Sequence, residues 1–189
     1  PVVPPNFMLA LSASSVAHFA KQALKQQLHL AASDSLTGAL NRRYLLSQLE
    51  TRRADFVRSQ RTSSLVLIDV DGLKSLNDRF GHKTGDDVLK SMVDIARQRI
   101  RGSDTLFRIG GDEFALVLLD ANAHSALKVS NEIRMLVKQE APESLPDYAV
   151  SFGVCCVDDS ASAEDWLEQA DAALYGAKES GGDRAKMAE

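Results

Sequence analysis

Gly110-Gly111-Asp112-Glu113-Phe114 sits between two apolar runs, Thr105-Leu106-Phe107-Arg108-Ile109 and Ala115-Leu116-Val117-Leu118-Leu119. Both runs read as strands, and the glycines fall in the hairpin turn that joins them. Two glycines let the backbone turn tightly and let another group approach it closely. Two carboxylates follow at once, which suits hard cations and phosphates. Gly, Asp and Glu are also ordinary turn residues, so the motif needs a second observation beside it.

Ser64-Leu65-Val66-Leu67-Ile68-Asp69-Val70-Asp71 supplies one. Its unbroken apolar stretch predicts a central strand buried on both faces. The acidic end then emerges at the sheet edge, where a ligand can reach it. Laid antiparallel to residues 115–119, this strand brings Asp69 opposite Asp112 and Glu113. Three carboxylates packed together repel unless a divalent cation neutralises them, which is the signature of a magnesium site.

With both clusters in view, the chain resembles a GGDEF domain, the catalytic domain of diguanylate cyclases. Four further stretches agree in order: Asp34-Ser35-Leu36-Thr37-Gly38-Ala39-Leu40-Asn41-Arg42-Arg43, Asp69-Val70-Asp71-Gly72-Leu73-Lys74-Ser75-Leu76-Asn77-Asp78, Phe80-Gly81-His82-Lys83-Thr84-Gly85-Asp86 and Ser151-Phe152-Gly153-Val154. The resemblance covers residues 33–186. It implies an α+β fold with a palm-like, ferredoxin-related, mostly antiparallel sheet flanked by helices, preceded by an N-terminal signalling helix.

The resemblance also implies the chemistry. Two GTP molecules condense to cyclic di-GMP and two pyrophosphates by Mg2+-dependent phosphoryl transfer across a homodimer, with Mn2+ as the alternative ion. The metal shell is implied to be Asp69, the Val70 carbonyl, Asp112 and Glu113. Asp112 is the residue expected to activate the attacking hydroxyl, and Lys74 the one that stabilises phosphate charge. Substrate contacts are expected from Asn77, His82, Asp86, Gly110, Gly111, Lys178 and Arg184. A carboxylate such as Asp86 accepts from both donors on one guanine edge, whereas adenine leaves it unpaired. Arg101-Gly102-Ser103-Asp104 has the form of the family's inhibitory product site. Arg101 can fork two bonds to phosphate or guanine, and Asp104 can accept from a guanine edge.

Plain structural readings stand beside these. Asp69 can cap the helix that follows, although Asp71 is better placed to do so. His82 can order its turn, and Arg101 can end a helix. The family usually closes its last helix with Ala-Lys-x-x-Gly-Arg-Asn, where this chain reads Ala177-Lys178-Glu179-Ser180-Gly181-Gly182-Asp183-Arg184. Gly182 stands where the arginine belongs, and Arg184 is displaced by two residues. Gly72-Leu73 also replaces the frequent Phe-Phe before Lys74. The rival reading is therefore a catalytically silent module that binds GTP or cyclic di-GMP as a regulatory receptor. A one-substrate nucleotide cyclase is a weaker third, opposed by Asn77 and Asp86.

Composition is that of a soluble globular chain: 189 residues, 44% hydrophobic and 25% charged, with 22 basic and 26 acidic residues. No basic stripe forms, so a nucleic-acid polymer is not expected as a partner. Cys155 and Cys156 are adjacent in an apolar run and read as buried residues rather than as a disulfide or metal pair. The chain begins Pro-Val-Val-Pro-Pro without an initiator Met, which suggests a piece of a longer protein. The expectation is a cytoplasmic domain, linked to a membrane or sensor region only through an upstream part.

Residues 1–32 are expected to form an extended start and signalling helix, and 33–189 the catalytic domain. Leu9, Val16, Phe19, Ala23 and Leu30 make a weak heptad over residues 6–32, fit either to pair two protomers or to pack on its own domain. Beyond it, helices are expected at 40–58, 72–79, 85–100, 123–138 and 163–178, and a further strand at 148–157. The order gives a sheet with helices mostly on one face.

Overall fold

In a computed structural model describing residues 32–158 and 162–188, the run that ends in Asp-Val-Asp is strand β2, Ser63–Asp71. Before it come β1, Leu40–Asn41, a 3-10 turn over Arg42–Tyr44, and α1, Leu45–Ser59. After it come α2, Leu73–Phe80, α3, His82–Arg99, and the hairpin β3, Thr105–Arg108, with β4, Glu113–Leu119. The chain continues through α4, Ala123–Glu140, β5, Ala149–Cys156, α5, Ala163–Glu179, and β6, Ala185–Met187. The N-terminal helix expected over residues 6–32 lies, but for its last residue, outside the described residues.

The strands form one sheet in the order β1-β3-β4-β2-β5-β6. β2 runs antiparallel to both β4 and β5, and β3 runs antiparallel to β4. These four, with the helices between them, make the split βαβ arrangement of ferredoxin-like folds. β1 and β6 extend the two edges in parallel. The α+β, palm-like architecture is therefore present.

Helices cover both faces of the sheet, not mainly one. Val66, Ile68 and Val70 pack with Val88, Met92 and Val93 of α3 and Ile133 of α4. Leu65 and Leu67, pointing the other way, pack with Leu45 and Leu49 of α1 and Trp166, Ala170 and Leu174 of α5. A strand apolar on both sides needs a cover on both sides. Two more expectations are corrected. The helix expected over 40–58 begins only at Leu45, because Leu40 and Asn41 pair with Phe107 and Arg108. β6 adds an edge strand where none was expected, Ala185 to Met187 lying beside Phe152 to Val154.

Gly153 sets how α5 sits. A Cβ at this position would lie 2.2 Å from the Ala170 carbonyl oxygen and 2.3 Å from the Leu174 nitrogen. Only a bare Cα lets the helix backbone press this far onto β5. The Trp166 indole N–H donates to the Cys155 carbonyl at 3.0 Å and pins the start of the same helix. Gly153→Ala is expected to destabilise the fold by about 1–3 kcal/mol, because the helix must lift off the sheet. Urea unfolding measures this, and an unchanged midpoint would contradict the close approach.

Candidate active site at the acidic end of β2

Along the α5-facing side of β2, Leu65 and Leu67 are followed by Asp69 and then Asp71. The apolar face thus turns acidic within two residues. Asp69 lies opposite Glu113 in the β2–β4 register, and the Val70 N–H donates to the Asp112 carbonyl at 3.2 Å. Directly opposite residues share a face of the sheet, so the backbone brings positions 69, 112 and 113 to one edge. Asp69 is only 5% exposed. Its counter-charge comes from α5, where Lys178 Nζ stands 2.6 Å from Asp69 Oδ2. Glu113 bends its carboxylate back over Gly110.

Burial pushes the Asp69 carboxyl above its ordinary range. The Lys178 ammonium pulls it down, and the charges of Asp112 and Asp71 push it up again. Among the described residues, no group of three His, Cys, Asp or Glu side chains stands ready to hold a metal by itself. Hard carboxylate oxygens still fit the magnesium that the family implies, since that ion is typically held by one or two carboxylates together with substrate phosphates.

Arg108, quoted in the sequence only as part of a strand, ties the hairpin turn together. Its Nε donates to the Gly110 carbonyl at 3.2 Å and one terminal nitrogen to the Gly111 carbonyl at 2.7 Å. The other terminal nitrogen reaches Asp34 Oδ1 at 3.0 Å. Asp34 Oδ1 also accepts from the Thr37 N–H and hydroxyl at 2.9 and 2.7 Å. Burial raises the Asp34 carboxyl, but the Thr37 bonds and the Arg108 guanidinium outweigh it and hold it below the usual carboxylate range. One guanidinium therefore fixes the Gly-Gly turn and the first motif together.

A second group of predicted residues gathers where α2 meets α3. Asn77 packs against the Cα of Gly85, and its buried Oδ1 has no hydrogen-bond partner. Asp86 follows Gly85 directly and is exposed, as are His82 and Lys74. A buried amide oxygen without a donor is costly, and Gly85, having no Cβ, is what leaves room for it.

The loop after α5 departs from the family and shows why. Asp71 does not cap α2, as its sequence position suggests. Its Oδ2 instead accepts the Asp183 N–H at 2.8 Å, and the Ser151 hydroxyl donates to its Oδ1 at 2.8 Å. Arg134 and Lys138 of α4 pair with the Asp183 carboxylate from the other side. Gly181, Gly182 and Asp183 all have left-handed backbones, with φ of 104°, 68° and 49°. A Cβ on Gly182 would meet Asp71 Oδ2 at 3.0 Å. Arg184 stays exposed, and its Nε donates to the Gly182 carbonyl at 2.9 Å.

Arg101 and Asp104 lie elsewhere. Asp104 accepts the Arg101 N–H at 2.8 Å and the Leu119 N–H at 3.1 Å, so its carboxylate closes the turn before β3. Leu119 ends β4 and Glu113 begins it, which separates the two ends by about 20 Å. The Arg101 guanidinium is exposed and makes no hydrogen bond or ion pair among the described residues.

The family profile for the diguanylate cyclase GGDEF domain matches residues 31–184. Diguanylate cyclase DgcS of Shewanella oneidensis is 40% identical over 148 residues, which is 78% of this chain and 50% of that protein. Diguanylate cyclase DgcM of Escherichia coli K12 is 36% identical over 162 residues, covering 85% of this chain and 40% of that one. The coiled coil and GGDEF domain of DgcB from Caulobacter crescentus, solved in complex with c-di-GMP, matches with a TM-score of 0.83 and 27% identity, covering 93% of this chain and 95% of that chain. This chain belongs to the GGDEF family of diguanylate cyclase domains. It spans half or less of the length of the two sequence relatives.

Restoring the family's arginine by Gly182→Arg is expected to lower stability by about 1–3 kcal/mol, through the left-handed backbone and the crowding of Asp71. A denaturation midpoint that stayed put or rose would show that the loop takes the arginine without strain.

Proposed function

We propose that this domain is an active diguanylate cyclase that condenses two GTP molecules into cyclic di-GMP. The observation that supports it most is the meeting of Asp69, Asp112 and Glu113 at one sheet edge, with Lys178 paired to Asp69. In each step the ribose 3′-oxygen of one GTP bonds to the α-phosphorus of the other. The bond to the β-phosphate oxygen breaks, and pyrophosphate leaves. Asp112 takes the hydroxyl proton. Lys74, on the first turn of α2, offers its ammonium to the charge that builds on the phosphate. Gly111, with nothing within 4 Å of where its Cβ would be, leaves open backbone for the phosphates, and Gly110 lies beneath the Glu113 carboxylate.

Asp69, the Val70 carbonyl, Asp112 and Glu113 would hold Mg2+ or Mn2+. When bound, the ion neutralises phosphate charge and orients the reacting oxygens. Asn77 and Asp86 read guanine, with the exposed Asp86 carboxylate accepting from the base edge. His82 closes that end of the pocket, and Lys178 and Arg184 grip phosphates. One set of these residues per chain means that two protomers must face each other, each presenting one GTP.

The product also acts at the far end of the hairpin, where Arg101 is free to fork onto a phosphate or guanine and Asp104 shapes the turn beneath it. The receptor alternative draws on Gly182, which removes one phosphate contact. Among the described residues no helix is long and apolar enough to cross a membrane.

Incubation with GTP and Mg2+, with products resolved by chromatography, decides between the two. Cyclic di-GMP as product supports the cyclase, and GTP binding without turnover supports the receptor. Asp112→Asn should reduce turnover on the order of 10³-fold or more, because the metal shell loses a charge and the hydroxyl its proton acceptor. Near-normal turnover in that variant would remove Asp112 from its role. Calorimetry with cyclic di-GMP tests the product site. Arg101→Ala should weaken binding by roughly ten- to a hundredfold while unfolding stability and initial rate stay unchanged. Equal affinity in both proteins would leave Arg101 as a surface residue that follows a helix.

A further inference from the structure

We infer that Lys178 is the stand-in cation of the metal site: it neutralises Asp69 until a metal–nucleotide pair arrives, and it then moves onto the incoming phosphates. The inference rests on the proposed metal-binding role of Asp69 and adds an order of binding to it.

The charge balance at the end of β2 carries the argument. Asp69 is 5% exposed and shares its surroundings with the carboxylates of Asp71 and Asp112. Asp71 already has the Ser151 hydroxyl and the Asp183 N–H. Among the described residues, the one cation paired with Asp69 is Lys178, at 2.6 Å. A buried carboxylate that stays ionised needs such a partner.

A metal ion on the same Asp69 oxygen would compete with this partner. A magnesium ion sits 2.0–2.1 Å from its carboxylate oxygen. An ammonium hydrogen-bonded to that same oxygen would stand only about 3–4 Å from the ion, and two cations so close repel strongly. Lys178 is free to leave, because its side chain is 42% exposed on a flexible four-carbon stem near the end of α5. It still needs somewhere to go. Metal alone offers the ammonium no anion, whereas metal carried on a triphosphate offers several oxygens. The site therefore takes the two together far better than it takes the metal first.

This reading makes one substitution act in opposite directions. Lys178→Met removes the competing cation and keeps the apolar stem. Without nucleotide, Mn2+ should bind Lys178→Met at least about tenfold more tightly than the unmutated domain, measured by loss of the free-Mn2+ paramagnetic resonance signal. A non-hydrolysable GTP analogue, added with the metal, should bind the same variant about tenfold more weakly. Lys178→Arg keeps the charge and should keep Mn2+ alone weak.

Unchanged or weaker Mn2+ affinity in Lys178→Met would overturn the inference, as would Lys178→Arg gaining as much affinity as Lys178→Met. Neither result touches the metal role of Asp69, which Asp69→Asn tests separately. If Mn2+ with the analogue binds Asp69→Asn as tightly as the unmutated domain, the underlying reading of the site fails instead.

Discussion

The contact that the rest of the site depends on is backbone against backbone, α5 on Gly153. Leu67 lies opposite Gly153 in the β2–β5 register, and Asp69 lies opposite Ser151. Leu174, whose nitrogen meets the Gly153 position, precedes Lys178 by four residues, which is one helical turn. Moving one turn along α5 therefore matches moving two residues along β2. The depth at which α5 packs places an ammonium on the Asp69 carboxylate. A helix held one methyl group further out would leave that carboxylate buried and unanswered, a costlier state than the lost packing alone.

The hairpin turn is held by a different device. Most of the backbone at a glycine-rich turn is free to rearrange, which is poor footing for phosphate chemistry. Arg108 removes that freedom by donating to both glycine carbonyls while anchored on Asp34, 74 residues earlier in the chain. It also lies 6.0 Å from the centre of the Phe114 ring. A single side chain so joins the entry of the domain, the turn and the start of β4. The carboxylates that follow the glycines inherit their positions from it.

Much of this was legible in the residues. Glycines punctuate the hairpin, β2 is apolar throughout, and the two acidic ends then face one another by simple register. What escaped notice depends on contacts distant in sequence. Two- and three-residue edge strands such as β1 and β6 have too little pattern to detect, and exist because a neighbouring strand offers its edge. Asp71 looked like a helix cap because its best partners, Ser151 and Asp183, are 80 and 112 residues away. Arg108 did leave a sign, as a cation in an otherwise apolar strand just ahead of two glycines. The burial of β2 on both sides already called for helices on both faces, and reading them mostly onto one side missed that consequence. Gly182 looked like a lost arginine, yet its φ of 68° and the nearby Asp71 carboxylate show a loop rebuilt around a glycine.

The seating of α5 also carries its own optical gauge. The chain has one tryptophan, Trp166, and it is 1% exposed under the first turns of that helix. Its indole N–H is bonded to a strand carbonyl two residues beyond Gly153. Fluorescence from this protein is then reported from the joint between helix and sheet, with no competing indole elsewhere in the chain. A change in how α5 rests on β5 would be seen as a change in the colour and quenching of that single emitter, without any label added.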